Sequence, residues 1–357
     1  MRRAGGRRRG LHTLSRVRVG ALRMSLPVLD RRLRGTRFFE HPARSIINAP
    51  ESTGMRFWSI NPYVGCEFGC TYCYARFAHR YVVERARDDG RVDGDEFRDL
   101  RGPHGWEAFE HRIFVKRKAD VLSALERDLP RVRRRAQTER QSIAIGTATD
   151  PYQPAERTFR ITRAVLERFR RERGFGIGII AKGPLVRRDA TLLAELSARH
   201  ELTVHVSLIT VDEDIIRLVE ARSPMPHARL RALRHLVEAG VNAGLIVAPV
   251  LPGITDATEQ LRELLRQAKA AGARFASPVP LRLYPAVREP FLPVIERHWP
   301  ELASRYRAAY RDAMDAPDEY QEALNRRFMR LAVEVGIPLS AERNGTATPA
   351  ARQLDLW

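Results

Sequence analysis

The chain contains 357 residues, of which 44% are hydrophobic and 29% charged, and its formal net charge is +19. This hydrophobic content is typical of a soluble globular protein, and no apolar run approaches the ~20 residues of a membrane span, so we expect no membrane segment. Three closely spaced cysteines and no others favour a reducing compartment, and we therefore expect a cytoplasmic protein.

Positive charge is concentrated at the start of the chain. Residues 1–23 hold eight arginines and no acidic residue, so without them the net charge of +19 falls to about +11. Excess positive charge favours polyanionic partners. We interpret residues 1–45 as a basic, disordered arm with an irregular lead-in. Two interpretations of residues 1–23 stay open: a nucleic-acid-binding arm, or an upstream extension of a chain whose translation starts at Met24.

Beyond the lead-in, short apolar runs alternate with amphipathic segments. The first predicted strand, residues 57–60, leads through a cysteine-containing loop into a helix over 74–87, and the polar, glycine-rich stretch 88–105 is predicted to be a loop insertion. Asp189 is predicted to cap a helix and Gly240 to end another. The remaining predicted strands are 113–115, 142–145, 177–181, 202–209, 245–248 and 275–283, and the remaining helices are 119–129, 162–173, one from 189, one from 212, 227–239 and 258–271.

Repeated strand–helix units of this kind predict an α/β fold with a parallel sheet. Six or seven units are too few for a closed eight-stranded barrel, and Pro278 and Pro280 place the last strand at an edge. Past Pro285 the sequence becomes helical and polar. We therefore predict a core over residues 46–285, a C-terminal helical appendage over 286–345 and a flexible tail over 346–357.

All the cysteines of the chain, Cys66, Cys70 and Cys73, lie within eight residues of one another. Clustered thiolates are soft ligands that suit a metal centre, whereas an odd number at short spacing suits a disulfide framework poorly. Three protein ligands leave a fourth metal position open for a substrate or cofactor. The alternative is a closed structural zinc site with His79 as the fourth ligand.

The spacing Cys-x3-Cys-x2-Cys, with Tyr72 just before the last cysteine, resembles the signature of the radical S-adenosylmethionine (SAM) enzymes. The wider block over residues 59–76 resembles their spore photoproduct lyase-related branch. For residues 46–285 the resemblance implies an open, partial TIM-like (β/α)6 barrel. It further implies a 4Fe–4S cluster on the three cysteines, SAM as the second cofactor, and a flavodoxin or ferredoxin type electron donor. Reductive cleavage of SAM would then yield a 5′-deoxyadenosyl radical that abstracts hydrogen from a substrate.

Polar side chains follow several predicted strands at their carboxyl ends, where parallel α/β folds bind ligands. Thr149 and Asp150 end one strand, Lys182 ends the next, and Ser207 lies late in the one after. Hydroxyl, carboxylate and ammonium groups suit a zwitterion such as SAM. The resemblance implies the same four residues, together with the tyrosines at 72 and 74, as SAM contacts. The structural alternatives are a turn at Asp150 and a strand-end cap at Thr149.

One position departs from the family pattern. Spore photoproduct lyases keep a hydrogen-returning cysteine just before the hydroxyl–aspartate pair, and here that residue is Ala148. With no spare cysteine, hydrogen return by a thiol and dimer repair by that route are excluded. Proximity in sequence suggests Tyr152 as a substitute hydrogen donor and hence as a catalytic residue.

The last five residues form a second motif. Gln353, Leu354, Asp355, Leu356 and Trp357 resemble the short peptide by which bacterial DNA-repair proteins bind the replicative sliding clamp, with Leu356 and Trp357 as apolar anchors. The alternative is a tail that packs on its own domain. Clamp binding and the basic charge together would place the protein on DNA.

Three functions are compatible with these sequence features. The leading one is a radical SAM enzyme with an unassigned substrate, which nucleic acid would suit. The second is a non-catalytic, metal-stabilised protein that binds nucleic acid through charge and tail. The third is a radical SAM enzyme acting on a protein or small molecule, with the charge incidental. The sequence names no substrate, because family membership leaves the pocket open.

Overall fold

Two β-sheets organise the part of the chain that the structure describes. The computed structural model describes residues 28–31, 35–102, 107–139 and 141–339; the basic segment 1–23 and the motif over 353–357 lie outside these ranges. Its strands are β1 (Val28–Arg31), β2 (Arg37–His41), β3 (Ile47–Asn48), β4 (Trp58–Ile60), β5 (Tyr63–Val64), β6 (Arg112–Lys116), β7 (Ile143–Ile145), β8 (Gly176–Ala181), β9 (Glu201–Ser207), β10 (Ala243–Val250) and β11 (Ala276–Pro280).

Helices follow most of these strands. They are α1 (Pro50–Thr53), α2 (Arg76–Asp88), α3 (Gly94–Arg101), α4 (Lys118–Glu139), α5 (Ala155–Phe159), α6 (Ile161–Phe169), α7 (Ala190–Ser197), α8 (Glu213–Val219), α9 (Pro226–Glu238), α10 (Thr258–Ala270), α11 (Pro285–His298), α12 (Pro300–Ala309) and α13 (Asp318–Val335). No helix in the described ranges is long and apolar enough to cross a bilayer.

The larger sheet has the strand order β11-β10-β9-β8-β7-β4-β3. The six strands β4 and β7 to β11 pair in parallel, and β3 adds a short antiparallel edge. In this register Ile60 lies opposite Ile145, which in turn lies opposite Ile179. Within the described residues β3 and β11 are the two outermost strands, and they do not pair with each other to close the sheet. The predicted open (β/α)6 barrel is therefore confirmed.

Both faces of the larger sheet are covered at its centre, where β7 and β8 consist of apolar residues and glycine. Side chains alternate along a strand, and Ile143 and Ile145 belong to the main core with the surrounding helices. Ala144, between them, belongs to a separate apolar cluster with Phe57 and Ile246 on the opposite face. That second cluster lies inside the partial barrel and forms an apolar floor beneath the cysteine loop.

A smaller sheet, of strand order β1-β2-β6-β5, lies beside the barrel. The predicted strand 113–115 exists, as part of β6, but it belongs to this sheet and not to the strand–helix alternation of the barrel. Its antiparallel partner β5 pairs Tyr63 with Val115 and immediately precedes the cysteine loop. The small sheet thus fixes one end of that loop.

One local prediction was wrong and a second holds only in part. The stretch 88–105, predicted to be a loop, contains helix α3, which begins because the Asp93 carboxylate accepts hydrogen bonds from the backbone N–H groups of Asp95 and Glu96. Asp189 occupies the N-cap position of α7, as predicted, but its side chain makes no capping hydrogen bond. Its buried carboxylate instead pairs with Arg163 and Arg188, because a 3₁₀ turn over Pro184–Asp189 turns it towards those guanidinium groups.

Helices α11 to α13 confirm the predicted helical appendage after Pro285. Helix α13 packs against β11 and α10, and α11 packs against α12, α2 and α8. The Tyr310 hydroxyl donates a hydrogen bond of 3.1 Å to the carbonyl of Leu281. The edge strand β11 is covered, since the Ala276 N–H donates to the carbonyl of Pro338 at 2.8 Å. Covering an edge in this way blocks pairing with other chains. The predicted boundaries at residues 45, 285 and 345 stay predictions.

Candidate metal and cofactor site

The cysteine loop is held by backbone contacts on several sides. The Cys66 N–H donates to the Phe109 carbonyl at 3.1 Å, and the Thr71 N–H donates to the Val219 carbonyl at 3.0 Å. Gly65 precedes the loop with φ of +86°, and a Cβ there would approach the Phe109 carbonyl oxygen to 2.8 Å. Glycine is required at this position both for the left-handed backbone and for the close approach.

Arg76 closes the loop from the helix side. It is 3% exposed, and its guanidinium pairs with Glu110 at 3.0 Å and donates to the carbonyls of Gly69 and Cys70. These bonds add to the backbone bond of 3.2 Å that the Cys70 carbonyl accepts from the Cys73 N–H, and they tie the loop to helix α2. Arg76 is therefore a positioning residue that the sequence analysis did not identify.

The three cysteines line one cavity at the mouth of the barrel. Cys66 and Cys70 are buried, and Cys73 is partly exposed. Burial, followed by the charge of Asp150, raises the pKa of Cys66, and burial and Cys70 raise that of Cys73 to about 11. Without metal these two thiols stay protonated at neutral pH. Metal binding would release their protons and turn them into thiolate ligands.

The residues predicted to contact SAM lie around the same cavity. Beside the cysteines, its wall contains Tyr72, Tyr74, Thr149, Asp150, Lys182 and Ser207. They come from the cysteine loop and from the carboxyl ends of β7, β8 and β9, which the parallel sheet brings to one edge. The structure therefore brings together every predicted cofactor-binding residue; their contacts with SAM stay predictions.

Asp150 is fixed by backbone donors. One carboxylate oxygen accepts from the Tyr152 N–H at 2.8 Å, and the other accepts from the N–H groups of Lys182 and Gly183. Burial raises its pKa, partly offset by these hydrogen bonds. Asp150 thus ties the loop after β7 to the end of β8 and sets the position from which the Lys182 side chain starts.

Three other predicted contacts also have partners in the protein. The Thr149 hydroxyl donates to the Gly65 carbonyl at 2.7 Å, and the Tyr74 hydroxyl donates to the Thr147 carbonyl. The Ser207 hydroxyl lies 3.5 Å from the Ala248 carbonyl. Thr149 and Tyr74 therefore link the cysteine loop to the loop after β7, while Ser207 keeps the weakest of these bonds.

A buried charge network lies directly beneath Cys70. The Lys182 ammonium contacts the Glu220 carboxylate at 2.5 Å, the Tyr72 hydroxyl at 2.9 Å and the Cys70 sulfur at 3.3 Å. Glu220 also accepts from Tyr72 and pairs with Arg229. Both Glu220 and Arg229 are 0% exposed.

The protonation state of Glu220 follows from this network. Burial by itself raises the pKa of the carboxyl group, but Arg229 and Lys182 outweigh burial and lower it to about 2. Glu220 is therefore ionised at neutral pH. Neither Glu220 nor Arg229 was singled out from the sequence, although a scarce lysine at a buried strand end signals the need for an acidic partner.

Tyr152 does not line the cavity that holds the cysteines. It is 1% exposed and lines a second, neighbouring cavity with residues that include Arg157 and Pro184. Its role as hydrogen donor stays a prediction, and the placement gives that prediction no support.

His79, the fourth ligand in the zinc alternative, is occupied elsewhere. It is buried between the rings of Phe109 and Phe114, and its Nε2 lies 2.8 Å from the Arg112 carbonyl oxygen. Within the described ranges no three His, Cys, Asp or Glu side chains converge on a single ion. A polynuclear cluster needs no such convergence, because each thiolate binds a different iron. The cysteine set therefore fits a cluster better than a closed zinc site.

Replacing His79 with glutamine tests this assignment. Burial lowers the pKa of His79 to about 4, so the unfolded chain binds more protons between pH 4 and about 6.5 and stability falls as pH drops through that window. Urea unfolding should show that the variant loses about 1–2 kcal/mol less than the parent between pH 7 and pH 5. Its metal content should be unchanged; loss of metal would support ligation by His79.

Comparison with known proteins agrees with the fold and the cysteine set. Residues 60–265 match the Radical SAM superfamily, more than half of the chain, and the chain belongs to that family. It is therefore a radical SAM enzyme, and its cofactors are a 4Fe–4S cluster and SAM. The non-catalytic alternative is not supported.

Its relatives extend over most of the chain. An uncharacterized protein of Mycobacterium tuberculosis (strain ATCC 25618 / H37Rv) is 34% identical over 317 residues, 88% of this chain and 84% of the relative. An uncharacterized protein of Methanocaldococcus jannaschii is 24% identical over 215 residues, 60% of this chain and 68% of the relative.

Solved structures show the same fold. A spore photoproduct lyase point mutant aligns with a TM-score of 0.57 and 15% identity over 84% of this chain and 79% of its own. A lyase mutant with bound AdoMet and dinucleoside spore photoproduct aligns with a TM-score of 0.53 and 16% identity, again over 84% of this chain and 79% of its own. At these identities the likeness establishes the fold and leaves the substrate open.

Proposed function

We propose that this enzyme uses the radical generated from SAM to abstract hydrogen from a nucleic acid. The observation that carries the proposal is a stacked aromatic surface at the mouth of the cofactor cavity. Ring centroids of Tyr74 and Phe77 lie 6.4 Å apart, those of Phe77 and Tyr284 6.1 Å, and those of Tyr74 and Tyr284 6.2 Å. Tyr74 itself lines the cavity.

An arginine completes this surface. The guanidinium carbon of Arg282 lies 5.4 Å from the centroid of the Tyr284 ring, and Arg282 also lines the cavity. Aromatic rings interleaved with arginine are the surface on which unpaired nucleobases stack, at about 1–3 kcal/mol per base. Phe77 is 45% exposed, so an incoming base can reach the stack from solvent.

Charge and family likeness support the same class of substrate. The net charge of +19, to which the eight arginines of residues 1–23 contribute, favours binding to a phosphate backbone. The lyase named in the comparison structure binds a dinucleoside photoproduct. Ala148 stands where that family keeps its hydrogen-returning cysteine, so the proposed reaction differs from thiol-dependent dimer repair.

Within the cavity each predicted residue has a proposed part. Cys66, Cys70 and Cys73 would hold the cluster, and the residues at 72, 74, 149, 150, 182 and 207 would orient SAM. The bound cofactors supply the reductive cleavage that starts radical chemistry. The apolar floor that includes Phe57 and Ile246 excludes water from the reacting groups.

The direct test is transfer of a substrate hydrogen to the cofactor product. Reconstituted enzyme, SAM and dithionite are incubated with deuterated single-stranded DNA or RNA, and 5′-deoxyadenosine is examined by mass spectrometry. The proposal predicts deuterium in that product with one of the nucleic acids and none with the unlabelled polymer. The proposal would be overturned if neither labelled DNA nor labelled RNA gave deuterated 5′-deoxyadenosine while a labelled protein or small molecule did.

Two partners belong to the proposal. One is an electron donor of the flavodoxin or ferredoxin type, since cleavage of SAM consumes one electron. The other is the sliding clamp, which residues 353–357 would bind through Leu356 and Trp357. A synthetic peptide of the last twelve residues should bind the clamp, and a peptide with alanine at both anchor positions should not.

A further inference from the structure

Protein groups hold the Lys182 side chain in this structure. Only 10% of it is exposed, and an ammonium group has three N–H donors. Three acceptors surround it: a Glu220 oxygen at 2.5 Å, the Tyr72 hydroxyl at 2.9 Å and the Cys70 sulfur at 3.3 Å. Each donor therefore has one acceptor, and one of the three is a cluster ligand.

Glu220 fixes the direction of this ammonium. Its second oxygen pairs with Arg229, whose remaining nitrogens donate to the carbonyls of Pro224 at 2.7 Å and Ser207 at 3.1 Å. The Glu220 carboxylate is thus fixed by the Arg229 guanidinium, which is itself fixed by backbone carbonyl oxygens. Both Glu220 and Arg229 are 0% exposed, so the group that binds the ammonium is shielded from solvent.

The reduction potential of an iron–sulfur cluster depends on its net charge and on hydrogen bonds to its sulfur ligands. Reduction adds one electron, taken from the external donor, to a site that already carries three thiolates. A positive charge and a hydrogen-bond donor at one thiolate stabilise the more negative, reduced state. Lys182 supplies both.

We propose that Lys182 is a redox-tuning residue whose hydrogen bond to Cys70 raises the reduction potential of the cluster, and that Glu220 and Arg229 are positioning residues that hold it there. The inference rests on the cluster being bound by the three cysteines. The proposed effect on the reduction potential applies to the SAM-free protein, so it does not depend on the predicted contact between Lys182 and SAM.

The test is the midpoint potential of the SAM-free, anaerobically reconstituted protein, followed by EPR during a mediated titration. Lys182→Met should shift the potential in the negative direction by about 59 mV, which is tenfold in the equilibrium constant of a one-electron couple. Lys182→Arg keeps the positive charge and the hydrogen-bond donors, so its midpoint potential should lie close to that of the parent protein. Lys269→Met is the matched control, since that ammonium binds the Gly336 carbonyl, and should leave the potential unchanged.

Equal potentials for the parent and Lys182→Met would overturn the inference. If Lys182→Met does not bind the cluster, Lys182→Gln, which is also uncharged but keeps a polar group, takes its place. A potential equal to that of the parent would then overturn the inference in the same way. Failure of the parent protein to assemble any cluster would instead contradict the function proposed above.

Discussion

Replacing Cys70 with alanine is expected to abolish both cluster binding and SAM cleavage. The chain has no cysteine outside the loop that could take the place of the lost ligand, and two thiolates do not hold a 4Fe–4S cluster. The measurement is iron and acid-labile sulfide per chain after anaerobic reconstitution, followed by 5′-deoxyadenosine release under dithionite.

Ser223→Ala is the control for this variant. The Ser223 hydroxyl lies 3.5 Å from the Cys70 sulfur, so its removal perturbs the same place without removing a ligand. We expect it to retain iron and activity. Retention of full iron content by the Cys70 variant would show that Cys70 is not a cluster ligand.

Replacing Glu220 with alanine is expected to lower the free energy of unfolding by about 3–5 kcal/mol, because it leaves two buried cations uncompensated. The two cations are Arg229, which is 0% exposed, and Lys182, which is 10% exposed. Urea unfolding of the reconstituted protein, followed by circular dichroism, measures the effect. The ionised carboxylate stabilises the fold above about pH 4.5, and this contribution is lost as pH falls towards the folded-state pKa of about 2.

Two further variants separate charge burial from simple loss of a side chain. Glu322→Ala removes an exposed partner of Arg326 and should change stability by less than about 1 kcal/mol. Glu220→Leu combined with Arg229→Met removes the buried pair together and should recover part of the loss. A Glu220→Ala variant as stable as Glu322→Ala would mean that the network contributes nothing to stability.

The barrel could be predicted because its strands carry local signals. Runs such as residues 143–145 and 177–181 are apolar and β-branched, and each is followed by an amphipathic helix, so their type and order follow from short-range pattern. Helix α3 was missed because it is short and polar and depends on a cap at Asp93. The small sheet was missed because β5 has two residues and pairs only through tertiary contact.

The cavity wall could be predicted in part for the same reason. Thr149, Asp150, Lys182 and Ser207 end successive strands, and a parallel sheet brings such ends together. Glu220 lies 148 residues from its partner Tyr72 in sequence, and near a helix end it resembles an ordinary solvated glutamate. Only the fold places it under Lys182.

The activity of this enzyme depends on three thiolates that hold a cluster able to cleave SAM. The measurement that tests it most directly is iron and sulfide content of the anaerobically reconstituted protein, followed by 5′-deoxyadenosine release from SAM under dithionite. We expect about four irons per chain and release of 5′-deoxyadenosine. Zinc in place of iron, or an intact cluster that leaves SAM uncut, would contradict it.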